Sequence, residues 1–276
     1  MQIDIGLSPC PNDTFIFDAL LHGRIDTGPY RFRPIFADVE ELNRMASHGV
    51  LTVTKLSYYA YLSRMNHYVM MHSGGALGRG VGPLLVRARE LHKAKSEWSV
   101  AIPGVSTTAN FLLSYTLPEI TNKTERIFHE IEGDVSAGRF DAGVLIHENR
   151  FTYKERGLSL IADLGSLWEE KTGVAIPLGG IAIQRNQPIQ VQRDIDQLIK
   201  ESVEYAQLNP AESHDFVAHH AQEMDSTVRQ QHIDLYVNEE SLGLSAEGYA
   251  AVEKMHEIYI RNHPEAVDSG SLFVSI

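Results

Sequence analysis

Four short clusters combine side chains able to hold an anion or move a proton. They are Asn12-Asp13, Lys55-Leu56-Ser57, Ser106-Thr107-Thr108, and His147 with Glu148, Asn149 and Arg150. Lysine, serine, threonine and asparagine supply N–H and O–H donors suited to a carboxylate or to oxygens that gain negative charge. A histidine kept neutral at pH 7 can accept a proton, and partial burial favours that form. His147 directly follows the apolar run 142–146, so its ring is expected at the end of a buried strand. Each cluster alone has a plainer reading. Ser, Thr, Asn and Asp are the preferred caps of helices, a lone lysine is usually solvated, and His147 is one of 13 histidines. Shared position raises the functional reading, because each cluster follows a strand and the first three open a helix. Ligands of open α/β sheets bind outside the carboxyl ends of strands, where helix N-termini present free N–H groups.

The elements that must position these clusters alternate, which is the pattern of an α/β fold. Strands are expected at 3–7, 31–36, 50–54, 68–71 and 83–86. A helix over 14–22 would take Asp13 as its N-cap, and Asp38 with Glu41 opens another in a capping-box arrangement. A second block begins near residue 97, with strands at 99–102, 126–129 and 140–146 and helices at 108–116 and 134–137. An apolar, glycine-rich stretch at 173–183 reads as a return strand, and helices follow over 195–206, 211–221, 226–236 and 246–262. Helices without a sheet of their own must pack on an earlier one. The economical arrangement is a larger discontinuous lobe (1–90 plus 181–276), a smaller inserted lobe (91–180), and a ligand cleft between them.

Charge narrows the partners. Against 24 Lys+Arg stand 36 Asp+Glu, a formal charge of −12 over 276 residues. That balance argues against nucleic acid and against an anionic membrane surface. An acidic chain that binds an anion must gather its donors in one place, and Lys55, Ser57, Thr107 and Thr108 are the candidates. The single cysteine, Cys10, allows no intrachain disulfide and fits a reducing compartment. The first residues enter a strand pattern at once, without a secretory signal, so a cytoplasmic protein is expected. The uncharged stretch 99–118 contains Pro103, Gly104 and several hydroxyl residues, so no membrane helix is expected there. Other motifs fail. The glycines of 78–83 do not match G-x-G-x-x-G, and no P-loop, H-E-x-x-H or G-x-S-x-G is present. His214, His219 and His220 put at most two rings on one helix face, so no metal site is expected. Cys10 lacks a neighbouring base and is not expected to be a nucleophile.

The segment SPCPNDTFIFDALLHG, from Ser8 to Gly23, closely resembles the start of the 1,4-dihydroxy-6-naphthoate synthase family of the futalosine route to menaquinone. TKLSY from Thr54, GVGP from Gly80, IPGVSTTAN from Ile102 and GVLIHE from Gly143 resemble its other signatures, in the same order. The resemblance implies an α/β, two-lobed type II periplasmic-binding-protein-like fold with a central ligand cleft. It implies a lyase that converts cyclic dehypoxanthine futalosine into 1,4-dihydroxy-6-naphthoate and a sugar-derived fragment, with no metal or organic cofactor. By the same resemblance His147 is the proton acceptor, and Lys55, Leu56, Ser57, Thr107 and Thr108 contact the substrate. Asn12, Asp13, Ser106 and Asn110 lie in the matched motifs and are added as cleft residues. Whether Glu148, Arg150 or Asp13 assists the base stays open, as does the oligomeric state. The expected partner is a small anionic substrate. Two alternatives remain: chorismate dehydratase of the same pathway, and a non-catalytic small-carboxylate-binding protein, which would need export or tethering.

Overall fold

The first apolar alternation, Ile3, Ile5 and Leu7, makes the buried side of β1 (Gln2–Leu7). The computed structural model describes residues 1–222, 225–264 and 270–276. Its contacts divide into two units, Met1–Gly78 with Pro177–Ile276, and Arg79–Ile176. After β1 comes α1 (Pro11–Leu21), which begins three residues earlier than the sequence suggests. Pro11 occupies the first helical position, where a missing N–H costs nothing and the fixed φ suits the helix. Cys10 therefore stands at the N-cap and Asp13 inside the first turn, which corrects the expectation that Asp13 caps the helix. The next elements are β2 (Arg31–Phe36) and α2 (Val39–Ser47), whose N-cap Asp38 accepts from the amides of Glu40 and Glu41. Then come β3 (Val53–Ser57), α3 (Tyr58–Leu62), β4 (Tyr68–Met70) and β5 (Ala76–Gly78).

The second unit carries a five-stranded sheet. Its elements are β6 (Leu84–Arg87), β7 (Val100–Ile102), α4 (Thr108–Thr116), β8 (Lys123–Glu125) and α5 (Phe128–Ser136). They continue with β9 (Ala142–Leu145), α6 (Asn149–Thr152), β10 (Ser159–Asp163) and α7 (Leu164–Thr172). The sheet order is β10-β6-β9-β7-β8. The stretch just before residue 90 was expected in the larger lobe. Instead β6 pairs antiparallel with both β9 and β10, so it belongs to this sheet. Around 126–129 the expected strand is also displaced. Phe128, Ile131 and Val135 recur at helical spacing and form the buried side of α5, while Gly133 faces open space.

The chain returns to the first sheet through β11 (Ile176–Gln184), antiparallel to β3 and β4, with β5 also paired to it. That sheet runs β2-β1-β3-β11-β4. The helices α8 (Ile189–Leu208), α9 (His214–His220), α10 (Ser226–Tyr236), α11 (Glu239–Leu242) and α12 (Ala246–Asn262) complete the larger unit. Ile195, Ile199 and Val203 of α8 share one core with Phe15 and Ile16 of α1 and with Ile3 and Ile5 of β1. A separate core in the second unit joins Leu84, Val86, Ala101, Ile131, Val135 and Leu145. Among the described residues no helix is long and apolar enough to cross a membrane.

Candidate functional site

In the larger unit the candidate residues converge on one carboxylate. Asp13 Oδ1 accepts from Lys55 Nζ at 2.8 Å and from Asn12 Nδ2 at 2.9 Å. Its Oδ2 accepts from Ser8 Oγ at 2.7 Å and from the Ser8 amide at 3.2 Å. Four donors use the full capacity of a carboxylate. Asp13 is therefore built as a fixed counter-ion, with no lone pair left to take a substrate proton. Lys55 lies within β3 rather than after it, and its side chain is only 8% exposed. The solvated-lysine reading is thereby overturned, and burial of its charge requires the partner that Asp13 supplies. One of its three N–H donors is committed among the described residues, so two can serve a ligand.

Strand periodicity separates the neighbours of Lys55. Side chains two apart share a face, so Lys55 and Ser57 point one way and Leu56 the other. Leu56 is fully buried in the core and can offer a ligand only its backbone. The Ser57 amide donates to Asn43 Oδ1 at 3.1 Å, and Ser57 Oγ accepts from Asn43 Nδ2 at 3.3 Å. Asn43, on α2, thus turns the serine hydroxyl so that its own proton faces elsewhere. Space for the lysine stem comes from β11. A Cβ at Gly179 would stand 3.2 Å from Lys55 Cε and 2.9 Å from the Leu56 carbonyl oxygen. Asn12 completes the cluster, its Oδ1 lying 3.0 Å from Nε2 of the buried His232. Ser8, Asn43, Gly179 and His232 were not singled out by sequence reasoning. The glycine pair 179–180 inside an apolar strand was the one available signal, since glycine in a strand marks a close approach.

In the second unit His147 follows β9 with φ +56°, the one non-glycine residue at positive φ among the described residues. For an L-residue that region is strained, and such outliers cluster at functional sites. The Phe128 ring meets the imidazole edge-on, with centroids 4.9 Å apart. Residues just beyond are braced. Glu132 of α5 accepts from Asn149 Nδ2 at 2.7 Å and from Thr152 Oγ1 at 3.3 Å. Arg150 donates to the carbonyls of Gly82 and Gly80, each at 3.0 Å. Asn149 and Arg150 are thus committed to holding the segment, and Glu148 is buried before α6.

The remaining candidates line the start of α4. Thr107 is its N-cap, accepting from the Asn110 amide at 3.2 Å and donating to the Gly104 carbonyl at 2.8 Å. The plainer cap reading holds for this hydroxyl. Asn110 is likewise engaged, donating to the Val105 carbonyl at 2.8 Å and accepting from Lys123 Nζ at 3.0 Å. Burial holds the Lys123 ammonium below the usual lysine range. Thr108 is buried at the first helical position and Ser106 half-buried in the preceding turn. Of the first-turn N–H groups of α4, the Asn110 amide is taken by its own cap, so what this helix start offers an anion is mainly the positive end of the helix dipole.

Residues 3–260 match a family model described as menaquinone biosynthesis. A curated relative from Thermus thermophilus, named 1,4-dihydroxy-6-naphthoate synthase, is 46% identical over 251 residues, 91% of each chain. One of the same name from Streptomyces coelicolor is 42% identical over 255 residues, 91% of this chain and 90% of the relative. A crystal structure of an Archaeoglobus fulgidus protein superposes with a TM-score of 0.89 at 30% identity, covering 95% of this chain and 98% of that one. More distant is the ligand-binding component of an ABC-type import system from Staphylococcus aureus, with a TM-score of 0.70 at 14% identity. It covers 100% of this chain and 96% of the other, and at that identity it speaks for the fold alone, a periplasmic-binding-protein-like one.

Proposed function

The chain belongs to the menaquinone-biosynthesis family, and from that premise we propose that it converts cyclic dehypoxanthine futalosine into 1,4-dihydroxy-6-naphthoate. The observation that carries this reading is the near-full-length likeness to two relatives that bear the name of that activity. In the proposed reaction His147 accepts a proton from the cyclic intermediate. The resulting negative charge drives a retro-aldol or elimination cascade that releases a sugar-derived fragment and aromatises the bicyclic product. Aromatisation supplies the driving force, so the protein's task is to position the substrate and move protons. The two uncommitted donors of Lys55 and the Ser57 hydroxyl hold the substrate's carboxylate. Thr107 and Asn110 act at one remove, by shaping the loop before α4. The strained backbone of His147 and its packing against Phe128 support the base assignment.

Incubating the full chain with cyclic dehypoxanthine futalosine tests the proposal, with the naphthoate detected by its absorbance and mass. Formation of that product is expected. Turnover of chorismate, with none of the cyclic substrate, would assign the chain to a different step instead.

A further inference from the structure

The buried histidine of α10 takes no part in the proposed chemistry, yet it is wired to the residue that binds. His232 Nε2 lies 3.0 Å from Asn12 Oδ1, Asn12 Nδ2 lies 2.9 Å from Asp13 Oδ1, and Lys55 Nζ lies 2.8 Å from that same oxygen. We infer that His232 is a positioning residue for Lys55, acting through Asn12 and Asp13. The inference rests on the reading that Lys55 binds the substrate's anionic group.

Hydrogen-bond polarity makes the argument directional. Asp13 only accepts, so Asn12 must turn its NH2 toward it. The amide oxygen then faces His232, whose Nε2 must carry a proton and donate. Flipping the Asn12 amide would set its oxygen against the carboxylate. A donor at position 232 therefore fixes the orientation of Asn12, and through it one of the four donors that hold Asp13. Burial leaves no substitute, since His232 and Asp13 are fully buried and Asn12 nearly so. Without that donor the buried Asn12 oxygen loses its partner, which favours rearrangement of the amide. Asp13 and the lysine it anchors then lose their fixed geometry. A bare packing role, the ring resting 4.7 Å from Tyr236, would need none of this polarity.

Steady-state kinetics of the full chain with cyclic dehypoxanthine futalosine separate the two roles. His232→Leu is expected to raise KM about ten-fold and leave kcat within about two-fold. His232→Gln, which keeps an N–H donor, is expected to restore KM to within about two-fold of the parent. In a Lys55→Ala background, His232→Leu should add no further increase. Should His232→Leu not accumulate as folded protein by circular dichroism, Asn12→Ala breaks the same chain one bond nearer Lys55 and must show the same rise in KM. Equal KM values for the parent and His232→Leu, beside a raised KM in Lys55→Ala, would overturn the inference alone. A raised KM that glutamine does not rescue overturns it as well. An unchanged KM in Lys55→Ala would overturn the reading of Lys55 itself, and the inference with it.

Discussion

Replacing His147 separates a chemical role from a conformational one, because this residue carries both the proposed base and the strained backbone. Loss of a general base costs about 10²–10⁴-fold in kcat, or about 3–5 kcal/mol of transition-state stabilisation. His147→Ala, His147→Asn and His147→Gly should all show that loss. Their stabilities should differ. At φ +56°, an alanine carries the left-handed penalty of about 1–2 kcal/mol. Glycine escapes that penalty but loses about 0.4–1 kcal/mol through its freer unfolded chain. The balance favours His147→Gly over His147→Ala by about 1 kcal/mol, or roughly 2–4 °C in Tm. Asparagine, which tolerates the left-handed region, should melt close to glycine. Alanine and glycine both lose the Phe128 contact, so that pair isolates the backbone. Product formation and thermal melts of the three variants provide the assay. A kcat within ten-fold of the parent in His147→Ala would sink the base. A glycine variant that melts no higher than the alanine variant would refute the strain argument.

Further expectations follow from the same contacts. Thr107→Ala removes an N-cap and should cost about 1 kcal/mol, while Thr107→Ser keeps both hydrogen bonds; equal melting of the two would reject the cap. Gly179→Ala forces a Cβ to 2.9 Å from a backbone carbonyl and 3.2 Å from Lys55 Cε. It should destabilise by about 1–3 kcal/mol and raise KM, whereas an unchanged KM would show that the lysine stem has room to yield. Burial pushes the Asp134 carboxyl up, but Arg139 and Arg126 outweigh it and hold the group below its ordinary 3.8. Its folded form holds a proton less tightly than the unfolded chain, so its stabilising contribution is complete above that value and lost as pH falls through the lowered one. The stability gap between the parent and Asp134→Asn should therefore shrink on acidification below the ordinary 3.8, and a gap independent of pH would contradict the shift. Finally, the Lys55 charge is matched by Asp13 while the whole chain carries −12. Added salt then screens repulsion of an anionic substrate more than attraction. kcat/KM should stay flat or rise with salt, and a several-fold fall would show a net positive approach path.

Local signals made much of the fold legible. The strand at 31–36 and the helices at 108–116, 226–236 and 246–262 stand where the sequence puts them. Three of those helices have Thr107, Asp225 and Ser245 as capping residues at their starts. The start of α1 was misread because two prolines suggest a loop, although Pro11 at the first helical position favours a helix. At the site the split is between types and partners. That Lys55 and His147 carry chemistry could be argued from their residue types and neighbours. That Lys55 is buried could not, because the partner that permits it lies 42 residues away. His232, at 220 residues from Asn12, is further still out of reach of local pattern. For Thr107 the residue type alone pointed to a cap, and its hydroxyl does accept from the Asn110 amide three residues on.

Lys55 and His147 are held by opposite means, and magnitudes explain how each survives. Lys55 is a buried charge, and its stability depends on one partner with no slack. Removing either member of such a pair typically costs about 3–5 kcal/mol. His147 is a strained backbone position that costs about 1–2 kcal/mol. It persists only if its surroundings contribute more than that. Hydrogen bonds involving a charged group contribute about 1.5–3 kcal/mol each. The segment just after His147 makes four of them, two through Arg150 to the carbonyls of Gly80 and Gly82 and two to the buried Glu132. Even with the Arg150 bonds left out, the pair at Glu132 outweighs the strain. The backbone turn at His147 is therefore dictated by its neighbours in the same unit.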